Sequence, residues 1–423
     1  MRSRRLLVHG ALVILLIVTA LPAALGSGIS PRTAAVKPTI PSATPSPSAT
    51  PSPSATPTPE AAPDRPAPLT LDMAVGQMMA ASFGGPAITS GLRHLILDEK
   101  VGTVLIFRDN FTDAAGLARL TAQLQALGRE AGLPAPLLVA VDEEGGRVMR
   151  VTDGVAGLPS ELELGRRGPQ AVRNAVAATA SGLHALGIQL DLAPVADLRT
   201  NPADAVIGDR SFGGDPTLVG PLVAAAVNGL HDGGVGATLK HFPGLGGAAG
   251  DPHAAIPTDG ESLNQWLATQ ARTFKAGIDA GVDAVMTTAV VVPGLDPSGT
   301  PALFSKTIVT GLLRQRLKFQ GVIVTDGLGM GGITTLYGLP EATIAAVRAG
   351  NDLVLLNSVD AAYQASAIEA VKRQVRSGGI EMDQIQLSAG RVIALRARWP
   401  QWAPSMIDVS ATTPSIDLAL TRR

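Results

Sequence analysis

The sequence contains no cysteine. Disulfide bonds, thiol nucleophiles, zinc–thiolate sites and a lipid-modified N-terminal cysteine are therefore excluded, and any metal site would have to use histidine and carboxylate side chains. Charged residues are also scarce, at 16% of 423, and 34 basic against 35 acidic side chains give a net charge of −1. Without a strong charge of either sign, the composition does not indicate a nucleic-acid partner. We expect neither a nucleic acid nor a metal or other cofactor.

One long hydrophobic run stands at the N-terminus. Three arginines within the first five residues precede an apolar segment at residues 6–25, an order that is typical of an export signal. Small residues at Ala24 and Gly26 offer a cleavage site, whereas a length close to the ~20 residues of a transmembrane helix fits a retained anchor equally well. We interpret residues 1–28 as a signal peptide or an N-terminal membrane anchor. The protein is then expected outside the cytoplasm, secreted or held at the outer face of the cell membrane or cell wall.

Residues 29–68 are rich in proline, serine, threonine and alanine. Within them, residues 42–59 repeat a six-residue unit of these four types, which offers too little apolar surface to offset the entropy of folding. Proline favours an extended conformation, so we interpret this segment as a disordered spacer. Residues 401–423 are interpreted as a C-terminal tail that is flexible or loosely packed.

The body of the chain, residues 69–400, alternates short apolar segments with longer helical ones. The eight candidate strands are residues 77–83, 101–107, 137–141, 189–193, 237–240, 283–287, 321–325 and 352–356. Repeated βα units of this kind predict a parallel sheet. Eight of them in one domain predict an α/β fold with a single (β/α)₈ barrel of the TIM type. A doubly wound open sheet is the structural alternative.

Charged residues follow several of the predicted strands. Active sites of (β/α)₈ barrels lie at the carboxyl ends of the strands and in the loops after them. The residues at these positions are Arg108, Asp109, Asp142, Glu143, Glu144, Asp197, Lys240, His241 and Asp326. In a chain so poor in charge, this distribution indicates an active site at the mouth of the barrel.

The segment at residues 142–150 reads DEEGGRVMR. A carboxylate at the strand end, Asp142, can accept hydrogen bonds from vicinal sugar hydroxyls, and an arginine such as Arg150 can donate to the same ring. The segment is therefore interpreted as a ligand clamp, with an internal salt bridge as the alternative. Arg210, in a loop after the fourth strand, is open to the same two interpretations.

A glycine-rich loop follows Lys240 and His241. Four glycines between residues 244 and 250 leave the loop few side-chain anchors, as expected of a lid. Asp251 can orient the imidazole of His253 and stabilise its protonated form, which suits a general acid/base. A solvated surface histidine is the alternative. Asp326, directly after the seventh strand, fits a nucleophile, a metal ligand or a helix cap.

Together and in this order, four motifs resemble those of the family 3 glycoside hydrolases, and within them the β-N-acetylglucosaminidase branch active on peptidoglycan fragments. The motifs are DEEGGRVMR at 142–150, VIGDRSF at 206–212, KHFPG with a D-P-H triplet at 240–253, and TDGLGM at 325–330. The resemblance extends over about residues 70–398. It implies a (β/α)₈-type barrel and a retaining double displacement that releases terminal β-linked N-acetylglucosamine.

The same resemblance implies roles for individual residues. Asp326 matches the aspartate that attacks the anomeric carbon, and His253 with Asp251 matches an acid/base pair on a mobile loop. The residues that match the sugar-binding positions are Asp142, Arg150, Arg210, Lys240 and His241. A histidine–aspartate pair keeps a titratable proton donor near neutral pH where a retaining glycosidase usually has its second carboxylate.

Five positions depart from the pattern of that branch. Leu245, Gly247 and Pro252 stand where histidine, aspartate and serine are usual. Glu143 replaces the middle glutamine of D-Q-E-G-G, and Gly327 replaces a second aspartate. All proposed catalytic groups are kept, but the loop loses polar contacts and Pro252 stiffens the approach to His253.

Three other functions stay open at this point. A glycoside phosphorylase of the same family would resolve the glycosyl-enzyme with phosphate, which a neutral imidazole does not repel as a carboxylate would. A non-catalytic cell-wall sugar-binding barrel would account for the departures in the loop. Substrate-assisted hydrolysis would use an adjacent pair such as Asp142–Glu143 and leave Asp326 dispensable. In each case we expect a carbohydrate partner.

Overall fold

The computed structural model describes residues 68–201, 206–248 and 250–399. The predicted signal or anchor segment, the spacer up to residue 67 and the C-terminal tail lie outside the described residues. Among those that are described, no helix combines the length and the apolar character that a membrane span requires.

Eight parallel strands form a barrel. The strands in chain order are β1 (Met79–Ala81), β2 (Thr103–Ile106), β3 (Leu138–Val141), β4 (Glu143–Gly145), β5 (Val148–Met149), β6 (Leu190–Asp191), β7 (Gly236–Phe242), β8 (Ala284–Thr287), β9 (Val322–Thr325) and β10 (Val354–Leu355). β4 and β5 form a separate antiparallel hairpin, and the others pair in the order β10-β1-β2-β3-β6-β7-β8-β9. A parallel bridge between Val324 and Leu353 joins the two edges. The predicted (β/α)₈ barrel is confirmed, and the open-sheet alternative is wrong.

Helices connect the strands on the outside of the barrel. They are α1 (Leu71–Gln77), α2 (Ser90–Leu97), α3 (Ala114–Glu130), α4 (Glu161–Gly165), α5 (Pro169–Ala185), α6 (Pro216–Asp232), α7 (Leu263–Ala268), α8 (Gln270–Asp279), a π-helix at Thr307–Arg316, α9 (Gly331–Thr334), α10 (Leu339–Ala349), α11 (Ala361–Arg376) and α12 (Met382–Arg398). Local sequence sets their ends: Asp113 accepts the Gly116 amide at 2.6 Å to begin α3, as an N-cap does. Between β7 and β8 the helical segment is divided into α7 and α8, because Thr269 leaves the helical conformation with φ −121° and ψ −102°.

All eight predicted strands are present, with ends that differ by at most two residues. Their side chains alternate between two apolar layers, as the two-residue period of a strand requires. In β3, Leu138 and Ala140 pack with residues of the other strands inside the barrel. Val139 and Val141 pack in the layer between strands and helices.

Helix α12 covers the end of the barrel opposite the carboxyl ends of the strands. Its Val392 and Leu395 pack against the cluster inside the barrel. The neighbouring Arg396 is completely buried and donates from Nε to the Pro136 carbonyl at 2.6 Å. Its two terminal nitrogens donate to the Gln77 amide oxygen and the Ala135 carbonyl. One guanidinium therefore satisfies the polar groups of two chain segments.

We expect Arg396→Ala to lower the free energy of unfolding by about 3 kcal/mol, because two buried carbonyls and an amide lose their donor. Denaturant unfolding measures the difference. Arg93→Ala serves as the control, since Arg93 forms an exposed pair with Glu130 at 3.3 Å that is worth less than about 1 kcal/mol. Equal losses in the two variants would contradict a structural role for Arg396.

Candidate active site

An open cavity of about 220 Å³ lies at the carboxyl ends of the strands. Seven of the eight sequence-predicted site residues line it: Asp142, Arg150, Arg210, Lys240, His241, His253 and Asp326. The eighth, Asp251, contacts the cavity through His253, to which it is hydrogen-bonded. The structure thus brings together residues that are up to 184 positions apart in the chain, from Asp142 to Asp326.

A network of four charged side chains forms the floor of the cavity. Lys240 Nζ donates to Asp142 Oδ1 at 2.6 Å and lies 2.6 Å from Glu144 Oε1. Arg210 donates to both oxygens of Glu144, at 2.6 and 2.8 Å. Burial on its own raises the pKa of Glu144. The positive charges of Lys240 and Arg210 together outweigh burial, so that the pKa lies well below its usual range. Arg210 therefore both forms an internal ion pair and lines the cavity.

His241 is held by a buried carboxylate. Asp197 Oδ2 lies 2.7 Å from His241 Nδ1, and Asp197 Oδ1 accepts the backbone amides of His241 at 3.2 Å and Leu245 at 2.8 Å. Nε2 of the same ring lies 3.3 Å from Arg210 Nη2. Because a guanidinium only donates, Nε2 accepts and the ring hydrogen is on Nδ1. Asp197 thereby fixes the orientation of the imidazole.

Asp326 has one hydrogen-bond donor on each carboxylate oxygen. Thr288 Oγ1 donates to Oδ2 at 2.8 Å, and the amide of Gly327 donates to Oδ1 at 2.8 Å. The interpretation of Asp326 as a helix cap is wrong, because the following helix begins at Gly331 with Met330 in the capping position. Among the described residues no three histidine or acidic side chains are grouped so as to hold a metal ion. The fixed orientation suits a nucleophile.

His253 and Asp251 form the pair that the sequence predicts. The distance from His253 Nδ1 to Asp251 Oδ1 is 2.8 Å, and the same oxygen accepts the His253 amide at 2.9 Å. Partial burial on its own raises the pKa of Asp251. The hydrogen bonds from His253 outweigh burial, so that the pKa lies below its usual value. The His253 side chain is 67% exposed, so the alternative of a solvated histidine describes its exposure but not its pairing or its place in the cavity wall.

Arg150 is positioned by the β4–β5 hairpin. Its backbone amide donates to Glu143 Oε2 at 2.8 Å, and its Nη2 lies 4.0 Å from Asp142 Oδ2. Nε of Arg150 is buried without a hydrogen-bond partner among the described residues. Guanidinium and carboxylate therefore stand side by side at the cavity wall, an arrangement that suits a ligand with adjacent donors and acceptors.

Three buried acids lie behind this network: Glu143, Glu161 and Asp191 surround a second, smaller cavity with mostly apolar walls. Burial raises the pKa of Glu143 to about 7, and it raises the pKa values of Glu161 and Asp191 well above their usual range. Glu143 Oε1 and Glu161 Oε2 have no hydrogen-bond partner among the described residues. The raised pKa values favour the neutral forms of these acids, which limits the negative charge behind Lys240.

Some strand-end charges do not belong to the site. Arg108 stacks on the Phe111 ring at 5.4 Å, and Asp109 accepts the Gly85 amide at 3.2 Å. Arg147 pairs with Asp209 at 2.9 Å on the surface. The charges after β2 are used elsewhere: Arg108 packs within the β2–α3 connection, and Asp109 binds the loop after β1.

Conversely, sequence reasoning assigned no role to Glu144, Asp197 and Thr288. Glu144 and Asp197 carried the signal of a charge after a strand, but nothing distinguished them from Arg108. Thr288 gave no signal, since a hydroxyl after a strand is common. The structure also shows the surroundings of two positions that depart from the usual motifs of the branch. Leu245 lines the cavity, and a Cβ on Gly327 would lie 2.6 Å from Asn357 Nδ2.

Replacing Glu143 by glutamine keeps an acceptor for the backbone amides of Arg150 and Val151 but removes the ionisation. Because the folded-state pKa is raised from 4.5 to about 7, the wild-type protein loses stability as pH rises between these values. We expect the free energy of unfolding of Glu143→Gln relative to wild type to rise by about 3 kcal/mol between pH 4.5 and 8.

Chemical denaturation at a series of pH values measures this difference. Glu163→Gln is the control, since Glu163 is exposed and forms an ion pair with the equally exposed Arg167, four residues later. Parallel pH profiles for wild type and Glu143→Gln would show that Glu143 titrates as an ordinary carboxyl group.

Comparison with known proteins agrees with the four motifs. Residues 70–395 match the sequence profile described as the Glycosyl hydrolase family 3 N terminal domain. The β-hexosaminidase of Methylobacillus flagellatus is 37% identical over 291 residues, which cover 67% of this chain and 81% of that protein. The β-hexosaminidase of Xylella fastidiosa is 37% identical over 287 residues, with 66% and 83% covered.

Solved structures resemble the barrel closely. A family 3 β-N-acetylglucosaminidase from Paenibacillus sp. str. FPU-7 superposes with a TM-score of 0.78 and 39% identity over 84% of this chain, which spans 66% of that longer protein. A β-N-acetylhexosaminidase from Beutenbergia cavernae gives a TM-score of 0.73 and 32% identity, covering 78% of this chain and 98% of that one. The chain therefore belongs to glycoside hydrolase family 3.

Proposed function

We propose that this protein is a retaining exo-β-N-acetylglucosaminidase that hydrolyses terminal β-linked N-acetylglucosamine from peptidoglycan-derived or related glycans. One observation carries the proposal: a carboxylate fixed on both oxygens, Asp326, shares a cavity with a histidine paired to a carboxylate, His253 with Asp251. A nucleophile and a proton donor in one pocket are what a double displacement requires. The β-hexosaminidase and β-N-acetylglucosaminidase relatives support an acetamido sugar as substrate.

In the first step, an oxygen of Asp326 bonds to the anomeric carbon as the bond from that carbon to the leaving oxygen breaks. Nε2 of His253 donates its proton to the leaving oxygen, and Asp251 holds Nδ1 throughout. The product of this step is a covalent glycosyl-aspartate. The negative carboxylate also stabilises the positive charge that develops on the sugar ring.

In the second step, Nε2 of His253 takes a proton from water. The water oxygen bonds to the anomeric carbon and the bond to Asp326 breaks, which regenerates the carboxylate and retains the β configuration. An imidazole serves both steps because Nε2 donates a proton when the ring is protonated and accepts one when the ring is neutral.

The charged floor supports recognition of a single terminal sugar. Asp142 presents a carboxylate that is 19% exposed beside the guanidinium of Arg150, so vicinal hydroxyls of one ring meet an acceptor and a donor together. Lys240 and Glu144 close the space beneath and are 2% and 1% exposed. A pocket that ends in buried charge accepts the end of a glycan rather than its middle, which supports exo-action.

Location outside the cytoplasm belongs to the same proposal. The hydrophobic segment at residues 1–28 and the proline-rich spacer at residues 29–68 would hold the barrel at a distance from the membrane or carry it across a wall layer. A barrel at that place meets wall-derived glycans as substrate. These segments lie outside the described residues, so this part rests on the sequence pattern.

We expect the full-length protein to release nitrophenol from 4-nitrophenyl N-acetyl-β-glucosaminide. Asp326→Ala should lower kcat by about 10³-fold or more, because no other carboxylate can form the covalent intermediate. His253→Ala should lower it by about 10²-fold. Asp98→Asn is the control, since Asp98 is exposed and pairs with His94 on the outer surface.

The product identifies the reaction class. NMR of the first-formed sugar should show the β anomer. Formation of the sugar 1-phosphate in phosphate buffer would show that the enzyme is a phosphorylase and not a hydrolase. Full activity of Asp326→Ala would indicate substrate-assisted catalysis. Binding of N-acetylglucosamine without any turnover would indicate a wall-binding barrel.

A further inference from the structure

The loop that carries His253 contacts the barrel through two glycines. We define the acid/base loop as residues 250–256 and the glycine pair as Gly331 and Gly332, the first two residues of α9. The amide of Gly332 donates to the Pro252 carbonyl at 3.1 Å. Among the described residues, this is the one hydrogen bond between residues 251–256 and the rest of the barrel.

Both sides of the acid/base loop are anchored elsewhere. Before it, the Gly246 carbonyl accepts the amides of Thr200 at 3.2 Å and Asn201 at 3.0 Å. After it, the amide of Val291 donates to the Pro257 carbonyl at 2.9 Å. The ends of the loop are therefore fixed, and the glycine pair determines where its middle lies.

The glycine pair leaves no space for a side chain. A Cβ on Gly331 would lie 2.3 Å from the His253 carbonyl oxygen, and the atoms within 4 Å of it all belong to His253. A Cβ on Gly332 would lie 2.5 Å from the Pro252 carbonyl oxygen. Real Cβ atoms do not approach backbone oxygens so closely, so a methyl group at either position displaces the loop.

The glycine pair and the proposed nucleophile belong to one short segment. Asp326 directly follows β9 and Gly331 begins α9, and the segment between them is held by the Leu328 amide, which donates to the Leu355 carbonyl at 2.9 Å. The separation of nucleophile and proton donor in a retaining glycosidase is a fixed geometric requirement. Here one backbone segment carries the first group and supports the loop of the second.

We propose that Gly331 and Gly332 are positioning residues of the reaction: they admit the acid/base loop to the place from which His253 reaches the leaving oxygen of a sugar bound at Asp326. The inference rests on the proposed function. The glycines touch no reacting atom and act through the backbone of Pro252 and His253.

The chemistry of the leaving group separates this role from general damage. A sugar or alkoxide leaving group needs a proton as its bond breaks, whereas dinitrophenolate leaves as a stable anion. We expect Gly331→Ala to lower kcat/KM for the disaccharide N,N′-diacetylchitobiose about 10²-fold. The same variant should change kcat/KM for the 2,4-dinitrophenyl glycoside less than about 3-fold, because the step that kcat/KM reports then needs no acid.

The second step provides a further readout. Water needs a base to attack the glycosyl-enzyme, whereas azide attacks as an anion. Azide should therefore raise kcat of Gly331→Ala on the dinitrophenyl glycoside and yield the β-glycosyl azide. Wild type should respond little, because its base is in place.

Three comparisons keep the test decisive. Gly390→Ala adds a methyl group to α12 where no atom lies within 4 Å, and it should behave as wild type. Gly332→Ala should repeat the Gly331→Ala pattern. The affinity for N-acetylglucosamine and the midpoint of thermal unfolding of Gly331→Ala should match wild type, since the added methyl group meets only the loop.

Equal losses of kcat/KM on both substrates, or no loss on either, would overturn the inference. The variant His253→Ala distinguishes a failure of the inference from a failure of the proposed function. If His253→Ala shows the leaving-group pattern and Gly331→Ala does not, only the inference fails. If His253→Ala also lacks the pattern, the proposed acid/base role fails and the inference with it.

Discussion

The buried ammonium group of Lys240 is the charge around which the active site is built. It joins Asp142, at the end of β3, to Glu144, in the β4–β5 hairpin, and Glu144 in turn holds Arg210 from the loop after β6. Burying one such charge is costly, and attraction from two close carboxylates offsets that cost. Without the ammonium group, two carboxylates would face each other in a nearly dry space. The relative positions of three strand ends therefore depend on one side chain.

A series of side-chain contacts leads from Lys240 towards the acid/base loop. Arg210 touches His241, His241 is held by Asp197, and Asp197 accepts the amide of Leu245, five residues before the loop. Within the loop, the Pro252 carbonyl accepts the Gly332 amide and Ile256 packs against the apolar core. The floor of the cavity is thus made of paired charges, whereas the His253–Asp251 pair stands on a segment with few hydrogen bonds to the barrel. Such a division suits a site that must hold one sugar firmly and still admit a leaving group and a water molecule.

The repeating pattern of the sequence predicts the barrel because each strand is a short apolar segment with a helix after it. It predicts most of the site because charge is rare in this chain as a whole but frequent directly after its strands. It does not separate Asp197 from Asp109, since the direction of a side chain after a strand depends on the loop that follows. The contact of Gly331 with His253 was also beyond prediction, because it joins residues 78 positions apart through backbone atoms alone.

The contact between Gly327 and Asn357 limits how this site can change. Asn357 has a backbone φ of +44° and lines the active-site cavity, with its amide nitrogen where a Cβ at position 327 would be. An aspartate at position 327, which the resemblance to the branch leads one to expect, would place its Cβ only 2.6 Å from that amide nitrogen. The two positions are therefore coupled, because a side chain at position 327 requires that of Asn357 to shift or to be replaced.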